Sequence, residues 1–237
     1  MFRHTITEKV SARTYVDWAI LTFIAGNLNA GGFLACNRFV SHITGFATLA
    51  GVDMAHGWVG QSIGNLSIPL FFLMGVIFSA YLTEKRHAQK KEGQRFAPVM
   101  GLVTFLLLVI TIGGTLGWFG AFGEPANLKY DYVFLALLCG ACGLQNAAIT
   151  SASGATIRTT HLTGLTTDLG LGIVRAEIAA RSPDSRLLER RANLFRFMTI
   201  LAFFVGSMVG ALAFIRYQYN GFIIPALLAF YSAVRAR

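Results

Sequence analysis

Apolar residues run through this chain in six long blocks separated by short polar clusters. The blocks cover roughly residues 17–35, 62–83, 98–119, 132–150, 195–215 and 220–234, and each reads as a helix that could span a membrane. About 20 residues at 1.5 Å each cross roughly 30 Å of hydrocarbon, a length the first five blocks reach. The sixth is short and carries Pro225, which makes it the weakest span. Two further segments, 41–55 and 160–174, have a helical pattern but hold only about 15 residues, or about 22 Å. That is too short to cross unaided. Ser41 and Thr160 stand at their starts as N-terminal capping residues, so both segments read as re-entrant half-helices.

The two short segments are copies of one sequence. Gly26-Asn27-Leu28-Asn29-Ala30 precedes Ser41-His42-Ile43-Thr44-Gly45 and Thr48, as Gly143-Leu144-Gln145-Asn146-Ala147 precedes Thr160-His161-Leu162-Thr163-Gly164 and Thr167. Gly26 and Asn29 lie 117 positions before Gly143 and Asn146, while His42, Thr44, Gly45 and Thr48 lie 119 before their counterparts. Gly75 and Gly206, each opening a Gly-x-x-x-small pattern, are 131 apart. Offsets that change only in steps are what duplication followed by loop insertion leaves. The chain therefore reads as one membrane domain, 1–237, with a first repeat over about 17–119 and a second over about 132–235.

Composition agrees with a lipid environment. Only 13% of the 237 residues are charged and 54% are hydrophobic, with a mean hydropathy of +0.57; soluble domains carry about 25% charged residues. The net charge of +9 sits in short clusters between apolar runs, which argues against a nucleic-acid partner. With an N-terminus in the cytoplasm and six crossings, the loops at about 84–97 and 175–195 are cytoplasmic. All but Arg38, Lys129 and Arg216 of the 20 basic residues then lie inside, as the positive-inside rule requires. Making the short segments full crossings would put the Lys85–Arg95 cluster outside. Three crossings per half make the halves inverted repeats, with both termini cytoplasmic.

The candidate chemistry follows from that geometry. Two opposed broken helices at a repeat interface are a recurrent way to build a midplane solute site. In the first repeat the candidate binding residues are Asn29, Ser41, His42, Thr44, Gly45 and Thr48; in the second they are Asn146, Thr160, His161, Thr163, Gly164, Thr167 and Asp168. Asp168 is read as a buried carboxylate sharing a face with His161, able to carry a proton or to tie broken helices together by hydrogen bonds. The asparagines could serve a solute or bond across helices. Arg38 and Arg158 flank the two motifs, as anion attractors or as snorkelling interfacial arginines. Asp53 and His56 have no counterpart in the second copy and read as surface-loop residues. Cys139 and Cys142, three apart in an apolar run, read as small residues lining a helix contact; no metal, cofactor or disulfide framework is implied. No catalytic motif appears and no enzyme is expected. The expected partners are the lipid bilayer and a small solute or ion, with a homo-oligomer admitted and no nucleic acid.

The motifs resemble the YoaK-type family of bacterial membrane proteins. The resemblance rests on Gly26, Asn29-Ala30 and Phe33, on Ser41-His42-Ile43-Thr44-Gly45, on Gly143-Leu144-Gln145-Asn146-Ala147, and on Thr159-Thr160-His161-Leu162-Thr163-Gly164 with Thr167-Asp168-Leu169. It covers roughly residues 15–235 and implies a polytopic inner-membrane protein with no established substrate. This chain has Asn29 where the family commonly has Asp, and Phe46 where it commonly has Asn. The expected architecture is all-α, with six spans, two short re-entrant helices and two inverted repeats. The leading expectation is a small-solute transporter or channel with its site between the Thr-Gly motifs; the alternative is a non-transporting membrane scaffold or receptor subunit.

Overall fold

The computed structural model describes residues 12–88, 96–124, 128–153, 159–179 and 182–236. Among them there is helix and no strand. The elements are α1 (Ala12–Cys36), α2 (Ile43–Ala55), α3 (Val59–Ala88), α4 (Ala97–Thr115), α5 (Leu128–Ala152), α6 (Leu162–Val174), α7 (Pro183–Tyr217) and α8 (Ile223–Arg235). A π-helical turn, Arg175–Ala179, continues α6, and a 3-10 turn, Gln218–Phe222, joins α7 to α8.

Each of the six apolar blocks falls on a helix, but among the described residues five stretches are long and apolar enough to cross a membrane. The expected fifth and sixth spans form one of these, Pro183–Arg235. It is broken at Gln218, where φ is +49°. The 13 residues of α8 are about 20 Å long, short of a full crossing. The helix nevertheless doubles back. Phe222 lies at Gly31 of α1, and Arg235 reaches Asp17, 3.0 Å away near the start of the same helix. Pro225 lies in the first turn of α8, where a missing N–H removes no intrahelical bond.

The segment expected as a cytoplasmic loop at 175–195 is helical over most of its length. Ser182 and Ser185 form a reciprocal capping box and Pro183 opens the helix, so α7 starts well before its apolar part and runs 35 residues, about 52 Å. Its arginines decorate a helix longer than the bilayer is thick. The other expected loop, 84–97, is helical up to Ala88 and again from Ala97; residues 89–95 lie outside the described set.

Helices α1 and α5 form the centre, each with 67% of its apolar window buried, against 28% for α3. They run antiparallel: Gln145 donates its amide to the Leu21 carbonyl, and Gly32 lies beside Leu138. Each central helix pairs with a long helix from the other half. Along α1 and α7, Trp18 meets Phe195 at 5.3 Å, Gly26 meets Phe203 and Ser207, and Gly31 meets Phe214. Along α3 and α5, the Tyr132 hydroxyl donates to Ser67 at 2.6 Å, and Gly75 meets Gly140 and Leu144. Both pairs are parallel.

Glycine sets the spacing in both, and the contacts match position for position. A Cβ on Gly26 would collide with the Phe203 carbonyl, and one on Gly143 with that of Phe72. A Cβ on Gly206 would strike the Phe23 carbonyl, and one on Gly75 that of Gly140. In lipid, where burial of apolar area gives no drive, such close backbone packing holds helices together. The Gly-x-x-x-small patterns are thus used inside the monomer.

Candidate functional site

Helix α1 runs past Asn29 to Cys36, and Asn37, with φ at +55°, reverses the chain. The Asn37 N–H bonds back to the Phe33 carbonyl at 2.8 Å. The returning strand of chain brings Ser41 alongside Asn29. The Asn29 amide donates to Ala25 O (2.9 Å) and to the Ser41 hydroxyl (2.8 Å), while its carbonyl takes the Ser41 backbone N–H at 3.3 Å. In the second repeat the Thr160 hydroxyl donates to the Asn146 carbonyl at 3.2 Å. Asparagine on the central helix therefore holds the hydroxyl that precedes each short helix.

This corrects the capping assignment. Ser41 and Thr160 do not cap α2 and α6; the N-cap residues are His42 and His161, and neither makes a side-chain cap bond. The hydroxyls are held by asparagines 12 and 14 residues away instead of the N–H groups of their own helices. Thr48 donates to Thr44 O at 2.9 Å and Thr167 to Thr163 O at 3.0 Å, so one internal bond recurs in both helices.

The two N-termini meet at one open-sided chamber of about 520 Å³. The first motif contributes Asn29, Ser41 and His42, and the second Thr160, Leu162 and Thr163. Phe33 and Phe39 come from the first repeat's α1 and loop, and Phe203, Ser207 and Ala211 from α7. Among the described residues, no Asp, Glu, Lys or Arg lines it. From this chamber the short helices run outward along the long ones. Near the end of α6, Gly172 abuts Glu189, Asn193 and Arg196 of α7; near the end of α2, Asp53 accepts from Asn65 of α3 at 2.7 Å.

A second chamber of about 270 Å³ lies against α2, lined by Arg38, Phe39, His42, Thr44, Gly45 and Thr48 among others. The candidate residues of the first motif are thus divided between two chambers that share Phe39 and His42. Asn146 reaches the central chamber only through Thr160, which it holds. His161, Gly164, Thr167 and Asp168 line neither chamber.

Two expectations are overturned. Asp168 is exposed, not a buried carboxylate, and His161 is exposed as well. In α6 only Leu165 and Gly172 are buried; Asp168, on the turn between them, lies towards the same face but is left uncovered. Conversely Asp53 is not a loop residue. It shares the buried stripe of α2 with Phe46 and Ala50 at helical spacing, and its bond to Asn65 satisfies it. His56 is exposed as expected and stacks on Trp58 at 4.8 Å. The three cysteines are free and buried, and the Cys139 thiol donates to Val40 O at 3.1 Å where α5 meets the loop after α1. Arg158 lies outside the described residues.

Sequence reasoning missed the contribution of α7. Phe203, Ser207 and Ala211 recur every four residues and so share a face, but nothing local says that this face meets α1. Ser207, whose hydroxyl donates to Gly26 O at 3.1 Å, corresponds to Val76 at the 131 offset. A search for repeated polar residues passes over it.

Apolar helices of spanning length, packed around buried asparagines, place the chain in the class of α-helical membrane proteins. It belongs to the family described as Protein of unknown function (DUF1275), which matches residues 18–234, in agreement with the resemblance carried by the Thr-Gly motifs. No curated protein and no solved structure matches the chain.

Proposed function

We propose that the chain moves a small solute across the membrane, as a transporter or channel, at the chamber where the two motifs meet. The observation that carries this reading is the single chamber of about 520 Å³ lined by residues of both copies. In this reading the halves are inverted repeats, α2 and α6 are re-entrant, and both termini face the cytoplasm from the inner membrane. The antiparallel α1 and α5 and the matched glycine contacts support it. Neither short helix has a side-chain cap, so first-turn N–H groups are left for water or solute at the chamber. The reading includes no catalytic step and no cofactor.

A scaffold role is the second reading, favoured by the Asn29 amide, whose hydrogens already serve Ala25 and Ser41. Thermal-shift screening of purified protein against small metabolites and ions, followed by flux in proteoliposomes, separates the two. A binder at 100 times its Kd stabilises by about 2.7 kcal/mol. The transport reading expects at least one solute that both shifts the melting temperature and crosses, with both effects lost in Ala211→Phe, which fills the chamber. Binding and flux that survive the filled chamber would remove this chamber as the transport site, and no hit across the panel would leave the scaffold reading.

A further inference from the structure

We propose that the smaller chamber beside α2 is a binding site for a small anion, with Arg38 as the selecting charge, and that it serves as antechamber to the central one. Its use as an antechamber rests on the transport reading above; its preference for anions does not. The chamber holds about 270 Å³, enough for an inorganic anion or a small carboxylate. Among the described residues, Arg38 is the one Asp, Glu, Lys or Arg lining either chamber. It is half-buried, and one guanidinium nitrogen donates to Asn37 O at 3.2 Å. No carboxylate among the described residues pairs with it, so most of its five donors are uncommitted. Phe39, Phe46 and Leu49 supply apolar walls, and a charge among such walls acts over a greater effective distance than one in open water.

The partition between the chambers is aromatic. Phe39 and His42 line both. Phe39 stacks on Phe33 at 4.6 Å and meets His42 edge-on at 6.1 Å. The His42 ring lies against the first turn of α2, where a Cβ on Gly45 would come within 2.6 Å of its Nδ1. A solute held at Arg38 is therefore separated from the central chamber by two side chains. On the Arg38 side, Thr48 gives its proton to Thr44 O, so the guanidinium sets the sign of the site.

The test needs no knowledge of the solute. Cys36, Cys139 and Cys142 are buried, so a Thr48→Cys variant presents one accessible thiol in the small chamber. Purified variant is treated with an anionic sulfonatoethyl or a cationic trimethylammonioethyl methanethiosulfonate, and each rate is divided by that of a free small thiol. With Arg38 present, the anionic reagent should be favoured about fivefold or more at low salt, less as salt rises. The preference should vanish in Arg38→Gln and persist in Arg38→Lys, with gel filtration and helical circular dichroism confirming that each variant is folded. Equal normalised rates with Arg38 in place, or a ratio unchanged by Arg38→Gln, would overturn the site. That result could stand beside solute binding that Ala211→Phe abolishes, in which case the transport reading survives alone. Arg38-dependent selectivity with no flux would keep the anion site and remove transport.

Discussion

The two short helices begin alike and end differently. Both have 13 residues, both start after a histidine without a side-chain cap, and both follow a hydroxyl held by asparagine. Each also carries the same threonine-to-threonine backbone bond. Then they diverge. His42 lies over Gly45, whereas Gly164 has open space around it. At the far end, α2 buries Asp53 against Asn65, while the equivalent stretch of α6 has Gly172 beside an Arg196–Glu189 pair at 2.9 Å. What is shared is what places the short helix: a central glycine contact, an asparagine tie and a length of 13 residues. What differs lies in chamber walls and outer ends. The first copy serves both chambers through His42, and the second contributes Thr160, Leu162 and Thr163 to the central one alone. The two motif copies thus share their ties to the central helices and differ in the chamber walls that they supply.

The shared framework can be attacked at its most sensitive point. Gly26→Leu and Gly143→Leu each drive a side chain into the backbone of a long helix, at Phe203 and Phe72 respectively. Each should cost about 3 kcal/mol or more, the upper range of overpacking, because backbone, not a mobile side chain, blocks the way. Melting temperature and gel-filtration yield in detergent read the loss. The two variants should fall together; tolerance of one with collapse of the other would break the equivalence of the halves. Gly51 and Gly170, where an added Cβ would meet nothing within 4 Å, serve as controls, where alanine should be neutral or stabilising by up to about 1 kcal/mol.

Much of this framework was legible in the sequence because lipid imposes a coarse rule. An apolar run of about 20 residues has few alternatives to a helix, so the first four blocks fall close to α1, α3, α4 and α5, while α7 starts well before its block and α8 is no separate candidate span; the repeat offsets put α2 and α6 at equivalent positions. Decisions between competing partners were not legible. Ser41 had a choice between the N–H groups of its own helix and Asn29, and only the reversal at Asn37 brings the second within reach. The apolar segment around Asp168 predicts burial, yet α6 is covered only at Leu165 and Gly172, and the turn between them stays open. The arginine-rich start of α7 resembled a loop in composition, while the serine capping box and Pro183 made it helix. The α7 wall of the chamber stayed hidden because it depends on a pairing across some 180 residues, from Gly26 to Ser207.

A smaller effect sharpens the comparison at the asparagines. Asn29 makes three of the bonds that fix its motif, whereas Asn146 receives one from Thr160. Removing a buried hydrogen-bonding side chain costs about 1–3 kcal/mol. Asn29→Ala should therefore sit toward the upper end of that range and Asn146→Ala toward the lower, read as melting temperature in a matched detergent. Equal losses would mean that the extra bonds to Ala25 and Ser41 carry no net weight.

The smallest expected difference separates the two histidines, and it isolates the one contact that the second copy lacks. Gly45 and Gly164 hold the same place in their helices, three residues after the histidine. Replacing a helical glycine by alanine contributes up to about 1 kcal/mol of stability through the backbone alone. Gly164→Ala should realise that gain, since its new methyl meets nothing within 4 Å. Gly45→Ala should lose part or all of it, because the methyl would come within 2.6 Å of the His42 ring and turn it away. The displaced ring also lines both chambers. The same substitution should therefore leave the second motif unchanged in shape and alter the partition at the first. Thermal melts of the two single variants against the parent settle the sign. If Gly45→Ala stabilises as much as Gly164→Ala, His42 is not held against its helix, and the two motifs are closer to equivalent than their geometry implies.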